Sequence, residues 1–195
     1  MLAAFLDSSG ASTENSELKL PECLETLLLK EKLDVLELGT GCGIVGITMA
    51  KRFPNAEVFI TDTPEAEEIA KHNVSMIAGQ PRQDGSFPKI AYQILDWEDP
   101  LPENLRNRNL DLILVADCTY NSDVVPDLVR TLASLVKYNA EVLILVAMKI
   151  RHDSEMVFFD LMTRKNMIAL DKCILSLPLL GQSDEEIEFH LFKGS

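Results

Sequence analysis

A loop crowded with glycines and flanked by acids is the part of this sequence best suited to chemistry. Glu37-Leu-Gly39-Thr-Gly41-Cys-Gly43-Ile-Val-Gly46 sets glycines at alternate positions, which lets backbone lie close to a ligand with no Cβ in the way. Gly41-x-Gly43-x-x-Gly46 also matches the dinucleotide fingerprint, with Asp62 placed 19 residues past Gly43 to take a ribose hydroxyl. Glu37 argues for a different ligand. Its carboxylate, two residues before Gly39, would repel a pyrophosphate but could engage an ammonium group, directly or through water. That favours S-adenosylmethionine over a dinucleotide, as does a length of 195 residues, too short for the separate substrate domain of many NAD enzymes. A tight strand-to-helix turn holding no ligand is the plain alternative. His72, His152 and His190 share no ligand spacing, so surface or core roles are expected of them and no metal. Cys42 and Cys118 border the loop and the later acid Asp117 and are expected to be small packing residues.

The elements that must position these groups alternate between strand and helix. Residues 34–39 form a short apolar strand running into the glycines, and 44–53 the mixed apolar pattern of a helix packed on a sheet. Residues 57–62 repeat the strand pattern, and Pro64 with Glu65, Glu67 and Glu68 opens a helix running to 78. A polar loop over 80–88 leads to a third strand, 89–95. The aliphatic runs 110–116 and 141–148 read as strands covered on both faces, with a helix at 124–138 between them. Residues 154–166 predict a last helix, 172–177 a strand, and 187–192 a strand with one wetter face. The pattern is α/β: a doubly wound, mostly parallel sheet. Only residues 178–186 join the last two strands, too few for a crossover helix, so these should pair as an antiparallel hairpin. One domain over 1–195 is expected, with a helical lead-in over 1–30 and a core over 31–195.

In chain order, Glu37 to Gly46, Thr61-Asp62, Leu95-Asp96-Trp97 and Asp117-Cys-Thr-Tyr120 resemble the family-16 seven-β-strand methyltransferases, which include many protein lysine methyltransferases. The resemblance covers residues 2–192. The glycine loop alone would mark only the wider class I superfamily, while the Asp-Trp and Asp-x-x-Tyr pairs narrow it. The resemblance implies a strand order 3-2-1-4-5-7-6 with strand seven antiparallel. It implies that Gly39, Thr40 and Gly41 surround the methionine part of S-adenosylmethionine and that Asp62 binds the ribose; Glu37, by its charge, and Gly43, within the same loop, are further cofactor-binding candidates. It assigns Asp96 and Trp97 to the adenine end, where a carboxylate can accept from the amino group and an indole can cover the ring. Ala116 matches a further cofactor-lining position. Asp117 and Tyr120 match the pair beside the transferred methyl, where a carboxylate and an aromatic wall can aim an amine in line with it; read alone, they could equally be a turn cap and a surface aromatic. The family usually carries an N-terminal β-hairpin and a tryptophan-bearing segment before the helix that residues 1–7 begin. Trp97 is the sole tryptophan here, so a more open pocket and weaker binding are expected.

A net charge of −13 argues against a broad nucleic-acid surface and favours a cationic partner, such as a protein presenting a lysine. Cys23, Cys42, Cys118 and Cys173 form no Cys-x-x-Cys pair, and with no apolar run long enough to span a bilayer, a cytoplasmic or nuclear monomer free of membrane is expected. A small-molecule N-methyltransferase, or a cofactor-binding interaction module without turnover, would share the same motifs.

Overall fold

The computed structural model describes residues 21–150, 153–177 and 185–194. Within these, the strands are β1 (Leu33–Leu38), β2 (Ala56–Asp62), β3 (Lys89–Ile94), β4 (Leu112–Ala116), β5 (Leu143–Met148), β6 (Met167–Leu177) and β7 (Glu185–Gly194). The helices are α1 (Glu22–Leu28), α2 (Ile44–Arg52), α3 (Glu67–Ala78), α4 (Glu103–Arg106), α5 (Val125–Tyr138) and α6 (Asp153–Arg164). The seven strands form a single sheet in the order β3-β2-β1-β4-β5-β7-β6, with β7 antiparallel to both neighbours. By their contacts the described residues divide into two compact units, one running to Asp96 and taking in Leu110–Leu114, the other Trp97–Asn109 with the residues from Val115 onward.

In the first unit, β1 is buried along its whole length, Asp34 and Glu37 included, as a strand covered on both faces must be. It pairs in parallel with β2, Glu37 opposite Ile60, and β2 pairs in parallel with β3, Asp62 opposite Ile94. The carboxyl ends of these strands therefore fall at one edge, where ligands bind in such sheets. Gly43, at a left-handed φ of 85°, begins α2, which buries Val45, Gly46, Met49 and Ala50 on one face. A Cβ on Gly46 would lie 2.2 Å from Ile60 Cγ2 and 2.7 Å from Glu37 Oε2, so only glycine lets the helix sit this close to the sheet. Pro64–Ala66 forms one 3₁₀ turn before α3.

In the second unit, α5 starts with Pro126 in its first turn and buries Val125, Leu128, Val129, Leu132 and Leu135, the stripe of an amphipathic helix. β6 begins at Met167, five residues before the predicted start. Ile168 and Leu170 are exposed on this edge strand, and a register shift between Ala169 and Asp171 breaks the alternation that marks a strand in sequence. Residues 187–192 have no wetter face over His190 and Phe192, which are 6% and 2% exposed. Phe158 of α6 packs its ring edge-on to Phe192, and Phe159 packs on His190. The helix predicted to reach 166 stops at Arg164, with Asn166 at a φ of 57°. The short α4 had no periodic signal. The helix expected to begin at residues 1–7, and His152, lie outside the described residues.

Candidate functional site

The first unit gathers the glycine loop, Glu37 and Asp62. Gly39, Gly41 and Gly43 adopt φ values of 65°, 54° and 85°, a left-handed path that side chains disfavour. Thr40 N donates to Thr61 O at 3.0 Å, tying the loop to the end of β2. Glu37 Oε2 accepts from Thr40 Oγ1 at 2.6 Å and from Gly46 N at 2.9 Å, so one carboxylate oxygen fastens both the loop and the start of α2. Glu37 is 1% exposed. Burial pushes its carboxyl up to about 7, opposed by the bonds from Thr40 and Gly46 and reinforced by the charge of Asp62.

Asp62 meets the loop from the other side. Its Oδ2 accepts from Gly41 N at 2.7 Å and its Oδ1 from Thr63 N at 2.8 Å. A carboxylate has about four lone-pair sites, so capacity remains for a hydroxyl donor. At Gly41 a Cβ would meet nothing within 4 Å, which leaves the loop open to a ligand. Asp96, half-buried, closes the sequence of candidates in this unit.

In the second unit Trp97 is half-buried, and its Nε1 is buried with no hydrogen-bond partner, while its carbonyl accepts from Arg130 Nη2 at 2.5 Å. Ala116, also half-buried, ends β4. Asp117 follows it, exposed, with φ at 54° and its N–H donating to Ala147 O at 2.8 Å. Left-handed backbone in a residue other than glycine is uncommon, and such positions gather at functional sites. Tyr120 is 61% exposed, with its phenol available to a partner. Thr119 between them is buried.

Two side chains that sequence reasoning missed also anchor the first unit's loops. Asn73 Nδ2 of α3 donates to Cys42 O at 2.8 Å, and the Tyr92 hydroxyl of β3 donates to Thr63 O at 2.9 Å and Asp62 O at 3.3 Å. No local pattern could have flagged them, since each acts across a strand or helix pairing. Cys42, expected to pack, is exposed because the loop turns it outward; Cys118 is buried. His72 is exposed and His190 buried against Glu188 Oε2 at 2.8 Å. Among the described residues, no three His, Cys, Asp or Glu gather to hold a metal, and no helix is long and apolar enough to cross a membrane. Two cavities, of about 600 Å³ beside Arg52 and Arg82 and about 400 Å³ beside Arg106 and Arg130, are lined by none of the candidate residues.

The sheet order, with its one reversed strand, is that of the Rossmann-like methyltransferases. A SAM-dependent methyltransferase from Methanosarcina mazei superposes with a TM-score of 0.62 at 12% identity, over 91% of this chain and 99% of that one; at this identity the likeness speaks for the fold alone. A family profile described as "Lysine methyltransferase" matches residues 3–165, and the chain belongs to that family. Over 131 residues it is 37% identical to a UPF0665 family protein of Schizosaccharomyces pombe, covering 67% of this chain and 38% of that protein. Over 130 residues it is 36% identical to the protein N-lysine methyltransferase METTL21A of Mus musculus, covering 67% of this chain and 56% of that one. The chain thus spans about half the length of its curated relatives, or less.

Proposed function

We propose that this chain binds S-adenosylmethionine and transfers its methyl group to the ε-amine of a lysine on a partner protein. The observation that carries the reading is the family match over residues 3–165. The loop geometry supports the cofactor: an open face at Gly41, Asp62 aimed at the loop, and a buried carboxylate at Glu37 suited to a cationic ligand. The orphaned Nε1 of Trp97 is a donor that a ligand at that segment could satisfy. When bound, the cofactor supplies an electrophilic methyl on a sulfonium.

The chain's own residues bind and aim. Glu37, Gly39, Thr40, Gly41 and Gly43 hold the methionine part, Asp62 the ribose, Asp96 and Trp97 the adenine, and Ala116 lines the cofactor. Asp117 attracts and orients the acceptor amine, and Tyr120 offers it an aromatic face. The lysine must first lose a proton to water, because with a side-chain pKa of about 10.4 it is mostly ammonium at neutral pH, and the ammonium has no lone pair to offer. With the cofactor bound, the methyl would pass to the amine nitrogen, the carbon–sulfur electron pair would stay on sulfur, and the methylated ammonium would release its excess proton to water. Positioning carries the rate in such a transfer. We place this activity in the cytoplasm, in a monomer. Incubation with methyl-labelled cofactor and cell lysate tests the reading: label should appear on protein, and label confined to small molecules would reject it.

A further inference from the structure

We propose that Tyr92 is a positioning residue for the cofactor, holding from β3 the short stretch of backbone that carries Asp62. Tyr92 stands opposite Ile60 in the β2–β3 register, and its side chain reaches forward to the strand end. There its hydroxyl donates to Thr63 O at 2.9 Å, with a longer contact to Asp62 O at 3.3 Å. Leu95 N donates to the same Asp62 carbonyl at 2.8 Å, and Ala66 N to the Thr63 carbonyl at 3.2 Å. The peptide groups on either side of Thr63 are thereby fixed, and the Thr63 N–H, which belongs to the first of them, donates to Asp62 Oδ1 at 2.8 Å. The other oxygen, Oδ2, then meets Gly41 N at 2.7 Å. Tyr92 thus stands at the start of a chain of bonds that runs through the Thr63 backbone and the Asp62 carboxylate into the glycine loop. Burial and the nearby charges of Asp62, Glu67 and Glu65 push the hydroxyl up to about 12, so it remains a donor across any working pH. The inference rests on the reading of Asp62 as the acid that takes the ribose hydroxyls.

Removing one oxygen by Tyr92→Phe leaves the ring in place and takes from the Thr63 carbonyl the shorter of its two hydrogen bonds. Titration of S-adenosylmethionine into the chain should then show affinity weakened by about three- to tenfold, the scale of one neutral hydrogen bond, with kcat at saturating cofactor unchanged. In an Asp62→Asn background the same change should shift affinity by less than about twofold, because its effect runs through that carboxylate. Amide hydrogen exchange at Gly41 should quicken in Tyr92→Phe, a readout that needs neither ligand nor turnover. Unchanged affinity and exchange in Tyr92→Phe would overturn the proposal, and so would equal losses in both backgrounds, which would mark a general packing effect. If Asp62→Asn alone binds cofactor normally, the reading of Asp62 falls and this proposal with it. If Asp62→Asn binds poorly while Tyr92→Phe binds normally, only the role of Tyr92 falls.

Discussion

Burial leaves Glu37 poised to titrate near neutral pH, with its carboxyl raised from 4.5 to about 7. An acid whose folded pKa lies above its unfolded value binds its proton more tightly when folded. Its contribution is therefore fully present below about 4.5 and lost as pH rises through about 7, a loss on the order of 3 kcal/mol. Glu37→Gln should flatten that part of the stability profile, which chemical denaturation at pH 5 and 8 would read; an unchanged slope would remove Glu37 as its source. A cationic ligand reverses the preference by favouring the anion, so cofactor affinity in the unmutated chain should climb from about pH 6 to 7.5 and stay flat in Glu37→Gln. Asp117 and Tyr120 are expected to act on rate instead. Asn tolerates left-handed backbone as Asp does, so Asp117→Asn should keep stability within about 0.5 kcal/mol and nearly full cofactor affinity. Methyl transfer should fall about tenfold or more in it and in Tyr120→Ala, at least about 1.4 kcal/mol of lost transition-state stabilisation. Single-turnover rates at saturating cofactor decide this, and full activity in both variants would remove the pair from the acceptor site.

The helix that follows the loop depends on how closely it approaches the sheet. Gly46→Ala gains about 1 kcal/mol of helix propensity but drives a methyl into Ile60 and Glu37, an overpacking cost of about 1–3 kcal/mol. A net loss is expected by denaturant titration. Gly79→Ala is the contrast: at φ −89° with nothing within 4 Å, it should be neutral or stabilising by about 0.4–1 kcal/mol. If both variants behaved alike, the close contact at Gly46 would not be the cause. This contrast also shows what the sequence made legible. Gly46 was visible within the glycine run, whereas its clash partners Ile60 and Glu37 come from two other segments and show only once strands pair. Continuous aliphatic runs revealed β4 and β5, because strands covered on both faces need no polar alternation. The first half of β6 stayed hidden since its outward residues Ile168 and Leu170 are apolar and its register shifts after Ala169. In the site, Glu37 was legible as an acid beside the loop but not as its internal fastener, and Tyr92 and Asn73 gave no signal because their partners are backbone carbonyls far along the chain.

At the scale of the molecule, a net charge of −13 should draw in lysine-rich partners over distances of about a Debye length, roughly 10 Å at 0.1 M salt. Raising salt from about 0.05 to 0.5 M should therefore raise KM for a basic protein acceptor while leaving kcat and cofactor affinity nearly unchanged, as steady-state assays at several salt concentrations would show. A salt-independent KM would assign recognition to uncharged contacts. Methyl transfer to a protein lysine is the central activity proposed for the chain. Its most direct test is to incubate the 195-residue chain and its Asp117→Asn variant with isotope-labelled S-adenosylmethionine and cell lysate, digest the proteins, and read labelled methyl-lysine by mass spectrometry. The account predicts labelled lysine in discrete protein peptides with the unmutated chain and a loss of at least about tenfold with the variant. Cofactor binding by calorimetry with no labelled lysine on any protein would contradict it.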